Sequence, residues 1–425
     1  MNLAFVFLFF LWSCKSEAPS VTTAPVKDIT VTTATGGGTV IDEGSAQVIE
    51  RGICWSENPL PTLTSYTTIN GSGIGTFASN LTNLTPKTTY HVRAFASNEA
   101  GIAYGNEEIF ATTESGTPSG GLIIANHIIV DRFDNIPPYY LDQVKKMWMV
   151  YAGESHSAAI RTGLALLESI NPVYDVSVTE SGTPEGYNSS HLRVSRATWG
   201  NYIYPTGWQY QYGESSWYTN STGINRTKTG ISYCNSNSVT ISALGYGWCW
   251  DMTEGNPTAG TDPVYGVHWY GRSIGSPEGD KSYGLDDADY AVTGNSVNLD
   301  SYLEATQSYI DYCATNAIPT VVFFTTGTVD MYTGESGYQG YLKNKRIRDY
   351  VEAGTNLVFF DYADILCYDD NGQQTTTTWN GHTYPVITPT NLNPTTTGHI
   401  SNAGAVRLAK AMWWMLARIA GWDGN

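Results

Sequence analysis

A serine stands at the break between two apolar segments, Met147–Ala152 and Ala158–Ile170. The first segment has the continuous apolar character of a buried strand and the second has helical spacing, so the pattern predicts a strand that leads into a helix. Gly153 marks the break, and Ser155 follows it. A hydroxyl there would lie close to a helix N-terminus, where backbone N–H groups and the helix dipole favour a developing negative charge. This placement suits a nucleophile; the alternative is an ordinary turn in which Ser155 caps the helix.

The elements that would position this serine alternate between strands and helices from residue 122 onward. The predicted strands are Met147–Ala152, Tyr174–Val178, Val239–Leu244, Thr320–Phe324 and Leu357–Phe360; the predicted helices lie near Ala158–Ile170, Leu299–Ala314 and Gly340–Ala353, and a last helix carries Ala405, Leu408, Met412, Met415 and Ile419 on one stripe, capped by Ser401 or Asn402 and ended by Gly421. Such alternation predicts a parallel sheet covered by helices on both faces, with any active site at the carboxyl ends of the strands.

Two segments, roughly residues 180–238 and 251–298, interrupt this alternation. Both are rich in Gly, Ser, Asn and aromatic residues, and the first carries Trp199, Tyr202, Tyr204, Trp208, Tyr210, Tyr212, Trp217 and Tyr218. Rings on loops beyond the strand ends could form flat platforms that stack on sugar faces. The alternative is that these rings anchor long loops against the protein.

Composition restricts the partners and cofactors. With 425 residues the chain is expected to form two or three domains. The net charge of −17 disfavours nucleic acids and anionic membrane surfaces, so neutral or weakly charged partners are expected. The sequence has no Cys-x-x-Cys pair and no nucleotide-binding loop, and no metal or cofactor is therefore expected. Buried free thiols are expected for most cysteines, with Cys234 and Cys249 as the nearest candidates for one disulfide.

The first fourteen residues form an apolar run that ends in Leu11-Trp-Ser-Cys14. The run is too short for a permanent membrane span and is typical of a signal peptide. Leu-x-Ser-Cys resembles a bacterial lipobox, which implies that Cys14 is lipidated and anchors an exported protein at the outer membrane or cell surface. A plain secretory signal is the alternative.

Residues 18–113 show short alternating strands separated by Gly, Asn and Pro turns, a pattern typical of a small β-sandwich. Leu84-Thr-Pro-Lys-Thr-Thr-Tyr90 resembles the fibronectin type III signature, in which the tyrosine hydroxyl ties the corner between two strands. Arg51-Gly-Ile-Cys-Trp55 resembles versions common in Bacteroidota surface proteins. Residues 114–121 have the composition of a flexible linker, so the remaining residues, 122–425, form a separate domain.

Gly153-Glu-Ser155 resembles the first conserved block of the SGNH (GDSL-like) hydrolases, in which Gly-Asp-Ser supplies the nucleophile. His399-Ile-Ser-Asn-Ala-Gly404 resembles the last block, in which a histidine precedes a helix. The resemblance covers about residues 147–422 and implies a flavodoxin-like, five-stranded parallel sheet. It also implies ester hydrolysis, with Ser155 as nucleophile and His399 as general base and acid. The alternative for His399 is a packed or helix-capping histidine.

The family stabilises the oxyanion with the serine N–H, a glycine N–H and an asparagine side chain. Gly200 is the candidate glycine, with the Asn201 amide as the candidate replacement, and Ser155 would supply its own backbone N–H. The third block departs from the family, because Gly247 occupies the place of the asparagine. The Gly247 backbone N–H, or the indole N–H of Trp248 or Trp250, is the candidate replacement.

The last block departs as well, since Thr396 stands where the family has an aspartate three residues before the histidine. Asp361 or Asp364, after the last strand, would orient His399, or a Ser-His dyad would act without a carboxylate. His156, Trp199 and Trp250 are the candidate substrate-binding residues.

These features together predict an exported serine esterase that acts on an acylated small molecule or deacetylates a glycan. The alternative prediction is a degenerate SGNH fold that serves in glycan binding, adhesion or extracellular assembly.

Overall fold

The structure is a computed structural model. It describes residues 16–29, 33–82, 84–85, 88–112, 121–153, 155–178, 184, 190–200, 207–209, 216–248, 260–271, 282–294, 296–327, 329, 332–395 and 399–424, without the side chains of Ser155 and Gln209. The chain divides into two compact units, Met1–Gly116 and Thr117–Asn425.

The first unit is built from antiparallel strands. They are β1 (Ser20–Thr23), β2 (Ala34–Asp42), β3 (Glu50–Ser56), β4 (Tyr66–Ile69), β5 (Gly75–Leu81), β6 (Thr89–Asn98), β7 (Gly101–Tyr104) and β8 (Glu108–Ala111). One sheet has the order β1-β2-β5, and the other has the order β4-β3-β6 with β7 and β8 both paired to β6. Buried side chains of both sheets, such as Val40 and Val92, share one apolar cluster, as the predicted β-sandwich requires.

The corner before β6 forms as the sequence predicts. Tyr90 is buried, and its hydroxyl accepts a hydrogen bond from the backbone N–H of Thr85 at 2.9 Å. The Tyr90 ring also stacks on Phe110 of β8 at 5.7 Å. This contact is the tyrosine corner expected from the signature, and the two sheets resemble a fibronectin type III sandwich.

The second unit alternates strands and helices. Its strands are β9 (Ile123–Ala125), β10 (Trp148–Ala152), β11 (Val176–Val178), β12 (Leu192–Ser195), β13 (Thr198–Trp199), β14 (Trp208–Gln209), β15 (Ala243–Tyr246), β16 (Val321–Val322), β17 (Phe324–Thr325), β18 (Val358–Phe360), β19 (Thr376–Trp379) and β20 (His382–Pro385). Its helices are α1 (Pro138–Lys145), α2 (Ser155–Ile170), α3 (Ser216–Thr219), α4 (Ser221–Ser236), α5 (Tyr290–Thr293), α6 (Leu299–Thr315), α7 (Gly334–Ala353), α8 (Tyr362–Cys367) and α9 (Asn402–Ile419).

The second unit contains a five-stranded parallel sheet, as predicted, and a second parallel sheet of three strands. A five-stranded parallel sheet has the order β11-β12-β10-β15-β16, and a three-stranded parallel sheet has the order β17-β18-β9. Only Phe323 separates β16 from β17, and its backbone N–H donates to the carbonyl of Leu244 at 2.9 Å. The two sheets are therefore joined through one stretch of chain, residues 321–325.

Strand β10 lies at the point where the chain changes direction across this sheet. β12 pairs with one side of β10, and β15 pairs with the other side. Ligands bind preferentially at such a switch point in open α/β sheets, outside the carboxyl ends of the strands. The turn from β10 to α2 is located there.

Helix α9 packs closely on α2. The predicted apolar stripe of α9 is buried from Ala405 to Ile419, and the Ser401 hydroxyl caps the helix by accepting from the Gly404 N–H at 3.1 Å. A Cβ atom at Gly163 of α2 would lie 2.0 Å from the carbonyl oxygen of Ala405. Because glycine permits this approach, the start of α9 is held against the middle of α2.

Four cysteines in the described part of the chain, Cys54, Cys234, Cys313 and Cys367, are buried free thiols. Burial raises the pKa of Cys54 and Cys313 to about 11 and that of Cys234 to about 12. The Cys234 thiol donates to the carbonyl of Trp199 at 3.0 Å, so the candidate disulfide with Cys249 is wrong. Cys249 and the lipidation candidate Cys14 lie outside the described residues.

None of the helices in the described ranges is both long enough and apolar enough to cross a membrane.

Two buried carboxyl groups, Asp262 and Asp289, hydrogen-bond to each other between the loops that follow β15. Asp262 also accepts from the Trp269 indole at 3.1 Å, and Asp289 accepts from the Leu285 N–H at 2.6 Å. Burial, reinforced by the Asp262 charge, raises the pKa of Asp289 to about 6. Burial opposes the charge on Asp262, but hydrogen bonds from the Tyr265 N–H, Asp289 and the Val264 N–H together hold the pKa of Asp262 below its usual range. The proton shared by the pair is therefore assigned to Asp289.

We expect Asp289→Asn to stabilise the protein at pH 7.5 and to have little effect near pH 4. The native state holds the Asp289 proton more tightly than the unfolded chain does, so its contribution to stability is present below about pH 4 and is lost as the pH rises through about 6. An amide mimics the protonated acid, and the gain at pH 7.5 should be about 1–3 kcal/mol. Urea unfolding of wild type and variant at pH 4.5, 6.0 and 7.5 measures it. Asp142→Asn, at a side chain that is 64% exposed, is the control. If the difference in free energy of unfolding between Asp289→Asn and wild type did not change with pH, the assignment of the proton to Asp289 would be contradicted.

Candidate functional site

The turn between β10 and α2 has a backbone that only glycine fits. Gly153 has φ +106°, and a Cβ atom there would lie 1.9 Å from the carbonyl oxygen of Gly247. The Ser157 hydroxyl donates to the carbonyl of Gly153, and Arg161 Nη1 donates to the Ser157 oxygen at 2.9 Å. These contacts fix the first turn of α2 against the carboxyl ends of β10 and β15.

Ser155 is the first residue of α2, as the strand-to-helix pattern predicts. The helix runs for 16 residues, so its N-terminus carries the partial positive charge of a full helix dipole. The Ser155 side chain lies outside the described residues, as does Trp250.

The structure brings His399 to the same turn. The rings of His399 and His156 lie 6.3 Å apart between centroids, and His156 directly follows Ser155 in the chain. His399 has φ +55°, a conformation that is uncommon outside glycine. Its carbonyl accepts from the Asn393 N–H at 2.9 Å, and Ile400 bridges Leu392. The backbone around His399 is thus fixed just before α9 begins.

His156 links the turn to Tyr362, which begins α8 just after strand β18. Its side chain is only 3% exposed, and its ring lies 6.1 Å from the ring of Tyr362. The Tyr362 hydroxyl donates to the His156 carbonyl at 3.5 Å. Burial leaves His156 little surface for the expected contact with substrate, and that contact stays a prediction. Tyr362 is not among the predicted site residues. It lies two residues after a predicted strand, a position at which site residues of parallel sheets are often found.

Both candidate carboxylates for orienting His399 make hydrogen bonds to other residues. Asp361 is buried and accepts from Arg348 Nε and Nη2 at 2.5 and 2.9 Å, and also from the Thr326 hydroxyl at 3.0 Å. Asp364 accepts from Nδ1 and the backbone N–H of His127, at 2.5 and 2.8 Å. Within the described residues neither carboxylate hydrogen-bonds to His399, and the expected role of Asp361 or Asp364 in orienting it stays a prediction. The partners are Arg348 on α7 and His127 on the 3-10 segment after β9. The sequence does not predict the position of His127, because β9 has only three residues, too few for an apolar pattern to indicate a strand.

Three candidate oxyanion donors are likewise engaged. The Gly247 N–H extends the ladder of β15 by donating to the Ala152 carbonyl at 2.7 Å. The Gly200 N–H donates to the Gly207 carbonyl at 2.8 Å. The Trp248 indole is buried and donates to the Thr325 carbonyl at 3.3 Å. In the structure the Gly247 and Gly200 N–H groups pair with backbone carbonyls, and the Trp248 indole packs in the core. None of the three N–H groups is therefore free to act as the expected oxyanion donor.

The aromatic residues of the first interrupting segment, roughly residues 180–238, have two expected roles: platforms that stack on sugars, or anchors that hold the loop against the protein. Trp208, Trp217 and Tyr218 are buried in the apolar cluster that faces one side of the parallel sheet, so they anchor the segment. Trp199, a candidate for substrate binding, is half-buried, and its ring lies 5.3 Å from Tyr233. Its expected contact with a substrate stays a prediction. The other four tyrosines named from this segment lie outside the described residues.

Across the described ranges, no three or more His, Cys, Asp and Glu side chains are arranged to hold a metal ion.

Comparison with known proteins gives similarities over a quarter of the chain. No family model matches the chain, and none of the curated proteins matches it. Among solved structures, the sensor domain of the anti-sigma factor RsgI4 from Pseudobacteroides cellulosolvens is 17% identical, with a TM-score of 0.19, over 24% of this chain and 99% of its own. The fibronectin type III domain of human fibronectin type III domain containing protein 3 is 18% identical, with a TM-score of 0.19, over 25% of this chain and 97% of its own. Similarities of this size do not establish a family.

Proposed function

We propose that the second unit is a serine ester hydrolase of the SGNH type. The observation that carries the proposal is the position of His399 beside the first turn of α2, at the switch point of a parallel sheet. The serine and the histidine come from opposite ends of the unit, and the close packing of α2 on α9 at Gly163 accounts for their proximity.

The proposed reaction needs only these two side chains and water. His399 removes the proton from the Ser155 hydroxyl as the oxygen attacks the carbonyl carbon of an ester. The bond between that carbon and the alkoxy oxygen then breaks, and His399 delivers the proton to the departing alcohol. Water attacks the resulting acyl-serine with the same proton transfers, which releases the carboxylic acid and restores Ser155.

The oxyanion would be stabilised chiefly by the N-terminus of α2. The first N–H groups of a helix have no partners within the helix, and the Ser155 N–H is the first of them here. Since Asp361 and Asp364 are engaged elsewhere, the proposal is a Ser-His dyad without a carboxylate. The rigid backbone of His399 takes over part of the positioning that the carboxylate gives in a triad.

The test is hydrolysis of p-nitrophenyl acetate and of an acetylated polysaccharide by wild type and Ser155→Ala. We expect the variant to lose about a thousandfold or more in kcat, since its general base then has no hydroxyl to activate. Ser221→Ala, at an exposed serine that begins α4, is the matched control. Equal activity of wild type and Ser155→Ala would eliminate Ser155 as the nucleophile.

The second candidate function is a catalytically inactive fold that binds glycans or takes part in adhesion or assembly. The engagement of Gly200, Gly247, Trp248 and both aspartates in other contacts favours it, because an efficient esterase needs several oxyanion donors. Loss of one donor outright costs roughly 3 kcal/mol of transition-state stabilisation. Binding of the polysaccharide without turnover, unchanged in Ser155→Ala, would support this candidate.

The first unit is proposed to be a fibronectin type III spacer or adhesion module, since its two antiparallel sheets and tyrosine corner fit that role. Export with a lipid anchor on Cys14 remains part of the proposal. The substrate is proposed to be an acylated small molecule or a glycan.

A further inference from the structure

One end of the first unit holds the chain firmly just after the proposed lipidation site. The Glu17 N–H donates to the Ser45 hydroxyl at 3.0 Å, and the Glu17 carbonyl accepts from the Ser45 N–H and from Asn98 Nδ2, both at 3.0 Å. A Cβ atom at Gly44 would lie 2.3 Å from the Glu17 carbonyl oxygen, so glycine is needed for this approach. Glu17 is therefore fixed to the sandwich three residues before β1 begins.

Several strand ends and loops meet at the same end of the sandwich. β1 begins there, since Ser20 pairs with Asp42 at the end of β2, and β6 ends there at Asn98. The loop between β4 and β5 joins them, because the Gly73 N–H donates to the Val48 carbonyl at 3.0 Å. We call this surface the Glu17 end, and it consists of residues 17–20, 42–49, 70–74 and 98–101.

Exposed isoleucines surround the Glu17 end. They lie in it or one residue from it: Ile41 (60% exposed), Ile49 (66%), Ile69 (67%), Ile74 (62%) and Ile102 (47%). Val40 pairs with Gly75, so Ile41 and Ile74 extend neighbouring strands at this end. Single exposed apolar side chains are ordinary on protein surfaces, whereas several around one end form a surface that suits an apolar partner.

The proposed lipid anchor would bring this surface to a membrane. Only Lys15 and Ser16 separate Cys14 from Glu17, so a fully extended chain spans at most about 10 Å between them. A lipid on Cys14 would hold that residue at the headgroup layer, which is about 6 Å thick. With so short a connection, the Glu17 end cannot move far from the bilayer surface.

The charges at this end favour a neutral lipid surface over an anionic one. Carboxylates stand in the loops or beside them, at Glu17, Asp42, Glu43, Glu50 and Glu99. In the stretches 17–23, 41–51, 69–75 and 97–102, Arg51 is the only basic residue. An anionic membrane would therefore repel this end, whereas zwitterionic headgroups would not.

We propose that the Glu17 end lies on the bilayer, with the isoleucine side chains around it in contact with neutral lipid. The contact rests on the lipid anchor proposed for Cys14 and adds a second, non-covalent contribution to membrane binding. Such a contribution matters because a single lipid chain gives only marginal, reversible binding. The contact does not depend on ester hydrolysis by the second unit.

The experiment uses the full chain, produced in a bacterium, purified in detergent and reconstituted in phosphatidylcholine vesicles. A mass spectrum of the N-terminal peptide reports whether Cys14 carries a lipid. A polarity-sensitive fluorophore is attached to Ile49→Cys or to Ile109→Cys, with Cys249→Ser in both proteins. The Cys249→Ser protein alone corrects for label on other thiols, which are buried where the structure describes them.

Residue 109 is the matched position away from the Glu17 end. Ile109 is 60% exposed and pairs with His91, near the opposite end of β6 from Asn98. We expect nitroxide groups on the lipid acyl chains to quench the label at residue 49 at least about threefold more than the label at residue 109, because apolar side chains at a membrane surface reach the boundary of the acyl chains.

Transfer of the lipidated protein between vesicles measures the contribution of the isoleucines to binding. The double variant Ile49→Asn with Ile74→Asn should transfer about tenfold faster than wild type, since two apolar side chains lose their contact with lipid. Leu60→Asn with Ile109→Asn removes side chains of similar exposure, 62% and 60%, away from the Glu17 end and should transfer as wild type does. Vesicles that contain phosphatidylglycerol should release wild type faster at low salt.

The outcomes separate the contact from the anchor. A lipidated protein with equal quenching at residues 49 and 109, or equal transfer of the two double variants, would overturn the contact and leave the anchor intact. A blue shift at residue 49 without quenching would assign the isoleucines to a second copy of the chain and would also overturn it. An N-terminal peptide without lipid would overturn the anchor and the contact together, and would leave the Ser155 proposal untouched.

Discussion

Replacing His399 with alanine is expected to lower kcat for p-nitrophenyl acetate about a thousandfold and to leave KM nearly unchanged. Without an imidazole beside the first turn of α2, the Ser155 hydroxyl keeps its proton at neutral pH and attacks slowly. The ester would still bind, because the groups that position it are unchanged. Steady-state kinetics on wild type and variant give both parameters.

A second comparison separates catalysis from packing at His399. The double variant Ser155→Ala with His399→Ala should be no slower than either single variant, since the two side chains act as one unit. His382→Ala, at an exposed histidine whose ring stacks on Tyr338, should keep wild-type activity. A His399→Ala protein with a normal melting curve and normal kcat would remove the histidine from the mechanism.

Gly153→Ala is expected to destabilise the second unit by about 3 kcal/mol, from a positive φ and a backbone overlap together. The new Cβ would lie 1.9 Å from the Gly247 carbonyl oxygen, which belongs to the sheet backbone and cannot rotate away. Relief requires the end of β10 to move from the end of β15. Ser155 would move with it, so the remaining activity should fall by more than the fraction of unfolded protein explains.

The matched control is Gly294→Ala. Gly294 also has a positive φ, +69°, but a Cβ atom there meets nothing within 4 Å. It should therefore show only the conformational cost, about 1 kcal/mol. Urea unfolding of the three proteins at one pH gives the difference. Equal destabilisation at Gly153 and Gly294 would contradict the proposed overlap.

The sequence predicts the elements with strong patterns. The strand at β10, the start of α2, the helices α6 and α9, the Ser401 cap and the Tyr90 corner are all confirmed. Each depends on local information, such as apolar periodicity, a capping residue or a turn motif. The parallel sheet follows from the alternation of these elements.

The missed strands have weak local signals. β12 reads Leu-Arg-Val-Ser, and its Arg193 is only 8% exposed although it is charged. The guanidinium is accommodated because it donates to the carbonyls of Lys146 and Met147, which lie just before β10. A contact with a distant strand cannot be read from a window of four residues, so the segment looks like part of an insertion.

The candidate site shows the same division between local and distant information. Ser155 and Gly153 are recognisable from the turn alone, and His399 is recognisable from the start of the last helix. The sequence does not show that Asp361 pairs with Arg348 and Asp364 with His127, because the nearest partner of a carboxylate depends on the fold. Arg348 and His127 come from elements whose positions depend on the complete sheet.

The most direct test of the central claim is covalent labelling with a fluorophosphonate, followed by peptide mass spectrometry. A serine activated by a histidine attacks the phosphorus and displaces fluoride, whereas an ordinary surface serine does not. The account predicts one adduct, on the peptide that contains Ser155, and its loss in His399→Ala. An unlabelled wild-type protein, or an adduct on a different serine, would contradict the claim that Ser155 and His399 form a catalytic pair.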